Sequence, residues 1–197
     1  MKTSFVKLSF FSLLCALPAL WLGWRFIEFN LGANPVETLE HETGIWSLYF
    51  LLLTLASSAM QKRWRPKWFM PFHLVRRVLG LSAVLYGLLH LTIFWLFDME
   101  MSWMALWQDI WQRPFILIGT LALLLLIPLA VTSTLGWQQR LRKNWRKLHL
   151  LIYPISALAL LHFIWLTKAD YSEPLFYTVI FAVLALYLLK PFVRQKT

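Results

Sequence analysis

One cysteine in 197 residues, Cys15, leaves the chain without an internal disulfide or a cysteine-ligated metal or iron-sulfur site of its own. Charge is scarce too. Asp, Glu, Lys and Arg make up 14% of the residues against 59% hydrophobic, and the mean hydropathy of +0.61 lies far outside the balance of a soluble globular domain. There is no Gly-rich phosphate loop, no HExxH, no CxxC and no nucleophile triad, so hydrolytic and phosphate-binding chemistry have no motif to rest on. About seven residues follow the last apolar run, too few for a nicotinamide or flavin domain. Electrons from NAD(P)H would therefore arrive through another protein or through quinol.

What the chain has is apolar length. Stretches able to cross roughly 30 Å of hydrocarbon occur near 8–27, 44–60, 78–97, 115–135, 148–167 and 175–190. Turn and interface signals separate them: Gly32-Ala33-Asn34-Pro35, Arg65-Pro66, Arg113-Pro114, Gly136 and Glu173-Pro174. The expected fold is an all-α integral membrane protein, a single domain over 1–197 built as a six-transmembrane-helix bundle. Twelve tryptophans and fifteen phenylalanines suit aromatic belts at two interfaces, and equally the packing of a flat ligand.

Sorting the charges by segment orients the bundle. Sixteen Lys and Arg fall on one side: Lys2 and Lys7, six between Lys62 and Arg77, five between Arg140 and Lys147, then Lys190, Arg194 and Lys196. The other side holds only Arg25, Arg113 and Lys168, yet carries all nine acids from Glu28 to Glu173. The positive-inside rule places both termini in the cytoplasm. Topology and lipid head groups account for the net charge of +10, which in a soluble chain would point to nucleic acid, so no nucleic-acid partner is expected. The N-terminal run resembles a cleavable signal near Ala16-Leu17-Pro18-Ala19, but it continues apolar through Trp24, and an even number of crossings requires it as helix one.

Histidine inside hydrocarbon is costly and marks function by default. His41 falls in the acidic loop and His73 in the basic one, where a solvated side chain is the plain expectation. His90 comes thirteen residues past Arg77 and His162 fifteen past Lys147. At 1.5 Å rise per residue these are depths of roughly 20 and 22 Å from the basic side. Spans three and five run the same way, so imidazoles at one level can grip one iron from opposite sides, which is bis-histidine haem ligation. Hydrogen-bonded core histidines steadying the bundle explain the same placement. Phe94, Trp95, Phe163 and Trp165 stand nearby and suit either reading.

His149 lies at the basic interface, thirteen residues before His162, and on a straight helix would point roughly 140° away from it. Pro154 stands between them and can kink the helix. A second haem at His149 is one reading. Span three offers no histidine at that inner depth, where Arg76 and Arg77 stand instead, able to hold propionates or a flavin phosphate.

Several short pieces recur together in one known family: Gly32-Ala33-Asn34-Pro35-Val36 with His41 and Gly44; Arg76-Arg77-Val78-Leu79-Gly80-Leu81; and Leu89-His90-Leu91-Thr92. They continue through Arg113-Pro114-Phe115, Val131-Thr132-Ser133-Thr134, Trp145-Arg146-Lys147-Leu148-His149 with Tyr153, and His162 with Trp165. With these in this order the chain resembles the ferric-reductase-like transmembrane superfamily, most closely the MsrQ (YedZ) family. The resemblance implies a multi-pass cytochrome of the bacterial inner membrane with haem b, one or two, and FMN. It implies His90, His149 and His162 as haem-associated positions. Its partners would be a quinone or cytosolic flavin reductase as donor and a periplasmic molybdopterin reductase of methionine sulfoxide as acceptor. The acidic loops around Glu37 to Glu42 and Asp98 to Asp109 are candidates for docking that acceptor through complementary charge, and the exclusion of acids from the positive side explains them equally. Such a subunit has no catalytic site for methionine sulfoxide itself. Two-haem relatives carry a histidine pair on each of two helices, and this sequence departs from that pattern at Arg76 and Arg77, leaving the haem count open. A membrane metal reductase or oxidase of the same superfamily is the competing reading. A non-redox scaffold or small transporter is a third, and it predicts a colourless protein.

Overall fold

The computed structural model of the chain describes residues 2–63 and 71–194; the Arg65-Pro66 turn signal and Lys67 fall outside them. The elements are helices α1 (Lys2–Ile27), α2 (Pro35–Arg63), α3 (Phe72–Ile93, continued by a π-helical turn over Phe94–Asp98), α4 (Trp103–Gln112), α5 (Pro114–Val131), α6 (Leu135–Leu141), α7 (Lys143–His149), α8 (Ile152–Leu166) and α9 (Ser172–Arg194). There is no strand among the described residues. Six segments are long and apolar enough to span a membrane: Val6–Ile27, Pro35–Arg63, Phe72–Asp98, Pro114–Val131, Lys143–Leu166 and Ser172–Leu189.

The second span begins nine residues earlier than its apolar stretch suggests, so Glu37, Glu40 and His41 are helical and not in a loop. Local chemistry explains the early start. Asn34 Oδ1 accepts from the Glu37 amide at 3.3 Å while its Nδ2 donates to Glu37 Oε2 at 2.9 Å, and Pro35 opens the helix where no amide donor is needed. At the other extreme α5 stops at Val131, short of the expected 135. The hydroxyls of Thr132 and Ser133 turn back to the carbonyls of Pro128 and Leu129 at 2.6 and 2.7 Å and satisfy the helix end.

The fifth span is broken at Leu150–Leu151, between α7 and α8. Pro154 supplies the cause, because its ring clashes with the carbonyl four residues back, at Leu150. The segment between spans three and four, expected as a loop, contains α4. Its exposed face carries Trp103, Met104, Trp107 and Trp111, while Leu106 and Asp109 turn inward.

Four helices form the centre of the bundle in the cyclic order α2, α3, α5, α8, each packed on its neighbours, so that α3 and α8 lie on one diagonal and α2 and α5 on the other. Along their lengths α3 and α8 make no extended contact with each other. The fully buried side chains of Leu51 on α2, Ala83 on α3 and Ile155 on α8 knit this centre, and Ser47 Oγ donates to the Ala83 carbonyl at 2.8 Å to tie α2 to α3. Close packing and interhelical hydrogen bonds carry the association, since lipid is as apolar as leucine. α1 leans on α2 and α3, and α9 on α2 and α8.

One side chain is built into the α1 ladder. Tyr86 Oη accepts from the Ala19 amide at 2.8 Å and donates to the Cys15 carbonyl at 3.0 Å, standing between two groups that an unbroken helix would pair directly. The insertion lies beside Pro18, where the helix is already interrupted.

Candidate functional site

His90 and His162 meet across the α3–α8 diagonal, near the end of the bundle that carries the acids. Their ring centroids lie 6.2 Å apart with the planes at 81°. The common level expected from counting residues is therefore found in three dimensions. Each ring is anchored by its Nδ1 to a backbone carbonyl of the neighbouring helix: His90 to Glu40 O on α2 at 2.9 Å, His162 to Phe115 O on α5 at 2.6 Å. A carbonyl only accepts, so both Nδ1 atoms carry the proton and donate it. Both Nε2 atoms are thereby left as neutral lone-pair donors, the form that binds a metal.

Each histidine also lies against a glycine. A Cβ on Gly44 of α2 would stand 3.2 Å from His90 Nδ1, and one on Gly119 of α5 would stand 2.7 Å from His162 Nδ1. The fit to haem can be judged from these distances. Two metal–imidazole bonds of about 2 Å end to end, with each ring centre a further ~1 Å behind its nitrogen, place the centroids about 6 Å apart. The pair stands at that separation, on diagonal helices that do not close on each other, and bundle cores are where such ligands are normally presented. The residues fit the group.

His149 is placed differently, at the basic end of the same broken span. Its ring stacks on Trp145 at 4.0 Å and 29°, and its Nδ1 lies 3.1 Å from the Trp145 carbonyl, one turn earlier in its own helix. Trp145 is in turn fixed by its indole Nε1, which donates to the Thr132 carbonyl at 2.8 Å. His149 Nε2 is buried without a hydrogen-bond partner among the described residues. A buried polar atom left open in this way asks for an occupant.

Arg76 stands near the basic end of α3, half-buried, with Nη1 donating to Gln61 Oε1 at 2.5 Å; Arg77 is partly exposed beside it. His73 is exposed on the first turn of α3. His41, now seen on α2, is half exposed, with Nε2 3.7 Å from Glu173 Oε2 and its ring edge-on to Phe163. Neither joins the His90–His162 pair. Among the described residues no three His, Cys, Asp or Glu side chains converge as a conventional metal cluster, so the paired imidazoles are the centre of the site.

Comparison with known proteins adds the lineage. The family model described as "Ferric reductase like transmembrane component" matches residues 43–160, an interval that holds His90, Gly44 and Gly119 and ends two residues before His162. A protein of Xanthomonas oryzae pv. oryzae named "Protein-methionine-sulfoxide reductase heme-binding subunit MsrQ" is 44% identical over 173 residues, covering 85% of this chain and 78% of the relative. The chain belongs to the MsrQ family of ferric-reductase-like membrane proteins. The same name is borne by a Rhodospirillum rubrum protein 44% identical over 183 residues, covering 92% of this chain and 86% of the relative. An MsrQ of Xanthomonas euvesicatoria is 45% identical over 173 residues. No solved structure matches the chain.

Sequence reasoning found both histidines but not what holds them. The carbonyls of Glu40 and Phe115 have no side-chain signature. Gly119 was detectable only as a glycine five residues past Pro114, at about the level that His162 reaches.

Proposed function

We propose that this chain is the haem-carrying membrane subunit of a bacterial methionine-sulfoxide repair system. It lies in the inner membrane with both termini in the cytoplasm and passes electrons outward to a periplasmic molybdopterin reductase. The observation that carries the reading is the His90–His162 pair, two neutral imidazoles 6.2 Å apart with both Nδ1–H groups already committed. The relatives' names, which speak of a heme-binding subunit of protein-methionine-sulfoxide reductase, support the same role.

Haem b, when bound, supplies reversible one-electron exchange at its iron. The chain's own residues do the rest. His90 and His162 would hold the iron through Nε2, the nitrogen each leaves without a proton. Glu40 and Phe115, through their carbonyls, fix the tautomer and increase the basicity of each imidazole. The apolar helices around them keep water out. The acidic end, towards which the pair lies, is the face offered to the periplasmic partner, and complementary charge would speed that encounter. Electrons enter from the basic side, from quinol or a cytosolic flavin reductase. There, His149 is the candidate ligand of a second haem, and Arg76 and Arg77 are the candidate holders of propionates or an FMN phosphate.

A transfer experiment tests the function. The dithionite-reduced, detergent-purified protein is mixed anaerobically with the periplasmic reductase, and methionine sulfoxide is then added. Reoxidation that requires both the reductase and the sulfoxide supports the proposal. Reoxidation by ferric chelates alone, with no response to the reductase, would assign the chain to metal reduction instead.

A further inference from the structure

The geometry points to Gly44 and Gly119 as paired positioning residues that set how strongly each axial histidine binds, with Gly119 the tighter of the two. The inference rests on the haem reading above and concerns what lies behind the ligands. In both cases the glycine is four residues beyond the carbonyl that the histidine uses: Glu40 and Gly44 on α2, Phe115 and Gly119 on α5. Within an α-helix that carbonyl already accepts the amide of the residue four further on, here the glycine itself. Its second lone pair serves the imidazole, at Glu40 alongside a longer 3.1 Å contact from the Thr43 hydroxyl, provided no side chain blocks the approach. A glycine at this position removes the Cβ that would stand in the way. The arrangement occurs twice, on opposite helices of one diagonal, serving the two histidines of the other diagonal.

The two copies are not equal. At Gly44 an added Cβ would come within 3.2 Å of His90 Nδ1 and 3.3 Å of Cε1, so the ring must give by a few tenths of an ångström. At Gly119 it would come within 2.7 Å of His162 Nδ1, 2.9 Å of Cε1 and 3.1 Å of Cγ, closer than real Cβ atoms approach, so the ring must leave its carbonyl. Losing an Nδ1–H bond makes an imidazole a poorer donor to ferric iron, which raises the reduction potential.

Gly87 on α3 supplies a packing control. A Cβ there would be crowded by Leu123 Cδ1 at 3.1 Å and Ser47 Oγ at 3.4 Å, with no histidine atom among its nearest neighbours. The test is haem per chain, the low-spin electron paramagnetic resonance spectrum and a redox titration on wild type, Gly44→Ala, Gly119→Ala and Gly87→Ala, with His162→Ala alongside. The expected result is a six-coordinate low-spin spectrum with a raised midpoint potential for Gly44→Ala. Gly119→Ala should lose the low-spin signal in favour of a high-spin one, and Gly87→Ala should keep the wild-type values of both. If Gly119→Ala does not fold, Gly44→Ala against Gly87→Ala decides alone. Wild-type potential and spectrum in Gly44→Ala, or an equal change in Gly87→Ala, overturns the positioning role while leaving haem ligation intact. A wild type that takes up no haem, or low-spin haem that persists in His162→Ala, shows that the ligand assignment has failed and this inference with it.

Discussion

At the acidic end of the bundle two histidines on diagonal helices face each other, and each is anchored to the backbone of a different helix. At the basic end a single histidine is anchored to its own helix, stacked on Trp145, with its Nε2 open. The difference concerns rigidity as much as number. A ring bonded across helices keeps its position as long as the four-helix centre holds, and Leu51, Ala83 and Ile155 are buried to within 2% of full enclosure there. A ring bonded one turn back is held within α7 and reaches α5 only indirectly, through its stack on Trp145 and the Trp145 bond to the Thr132 carbonyl, while α7 is separated from α8 by the break at Leu150–Leu151. On the proposed reading the acidic end would offer two ligands and the basic end one. This asymmetry fits the presence of Arg76 and Arg77 on α3 at the basic level, where a second histidine would otherwise be needed.

Substitutions at the two ends should separate them. The largest effect is expected at the pair: His90→Ala and His162→Ala should each abolish the same low-spin haem signal, read as the reduced-minus-oxidised spectrum per chain. His149→Ala should leave most of that signal and lower haem per chain only by whatever the basic end binds; equal loss from all three histidines would contradict the division into two sites. Next comes Trp145→Phe, which deletes the indole bond to Thr132 and loosens the stack on His149. Changes to such supporting groups typically weaken binding by 10–100-fold. Any spectral component that His149→Ala removes should weaken here as well, with the His90–His162 signal untouched. The smallest effect belongs to Tyr86→Phe, remote from both ends. Removing the hydroxyl from the α1 ladder should cost about 1 kcal/mol per hydrogen bond, seen as a lower unfolding temperature in detergent, with no change in the haem spectrum.

Much of this arrangement is legible in the sequence because it depends on counting. Six apolar stretches give six spans, and the distances of His90 and His162 from Arg77 and Lys147 place the two rings at one level. The break before Pro154 follows from the ring's clash with Leu150. Other features depend on groups that sequence patterns under-report. The early start of α2 rests on Asn34 and Pro35, which read equally well as a turn. Helix α4 sits in a segment whose charges and tryptophans look like an interfacial loop. The carbonyls of Glu40 and Phe115 belong to the backbone, which every residue has, and Gly44 and Gly119 acquire meaning only once the neighbouring histidine is seen against them.

The most direct test of the central claim is the number and identity of axial ligands in the purified wild-type protein. A pyridine haemochrome assay combined with near-infrared magnetic circular dichroism of the oxidised form reads both. The paired geometry predicts b-type haem with a bis-imidazole, six-coordinate low-spin signature that disappears in His162→Ala. A protein that stays colourless after haem reconstitution, or whose haem is five-coordinate and survives loss of His162, would contradict it.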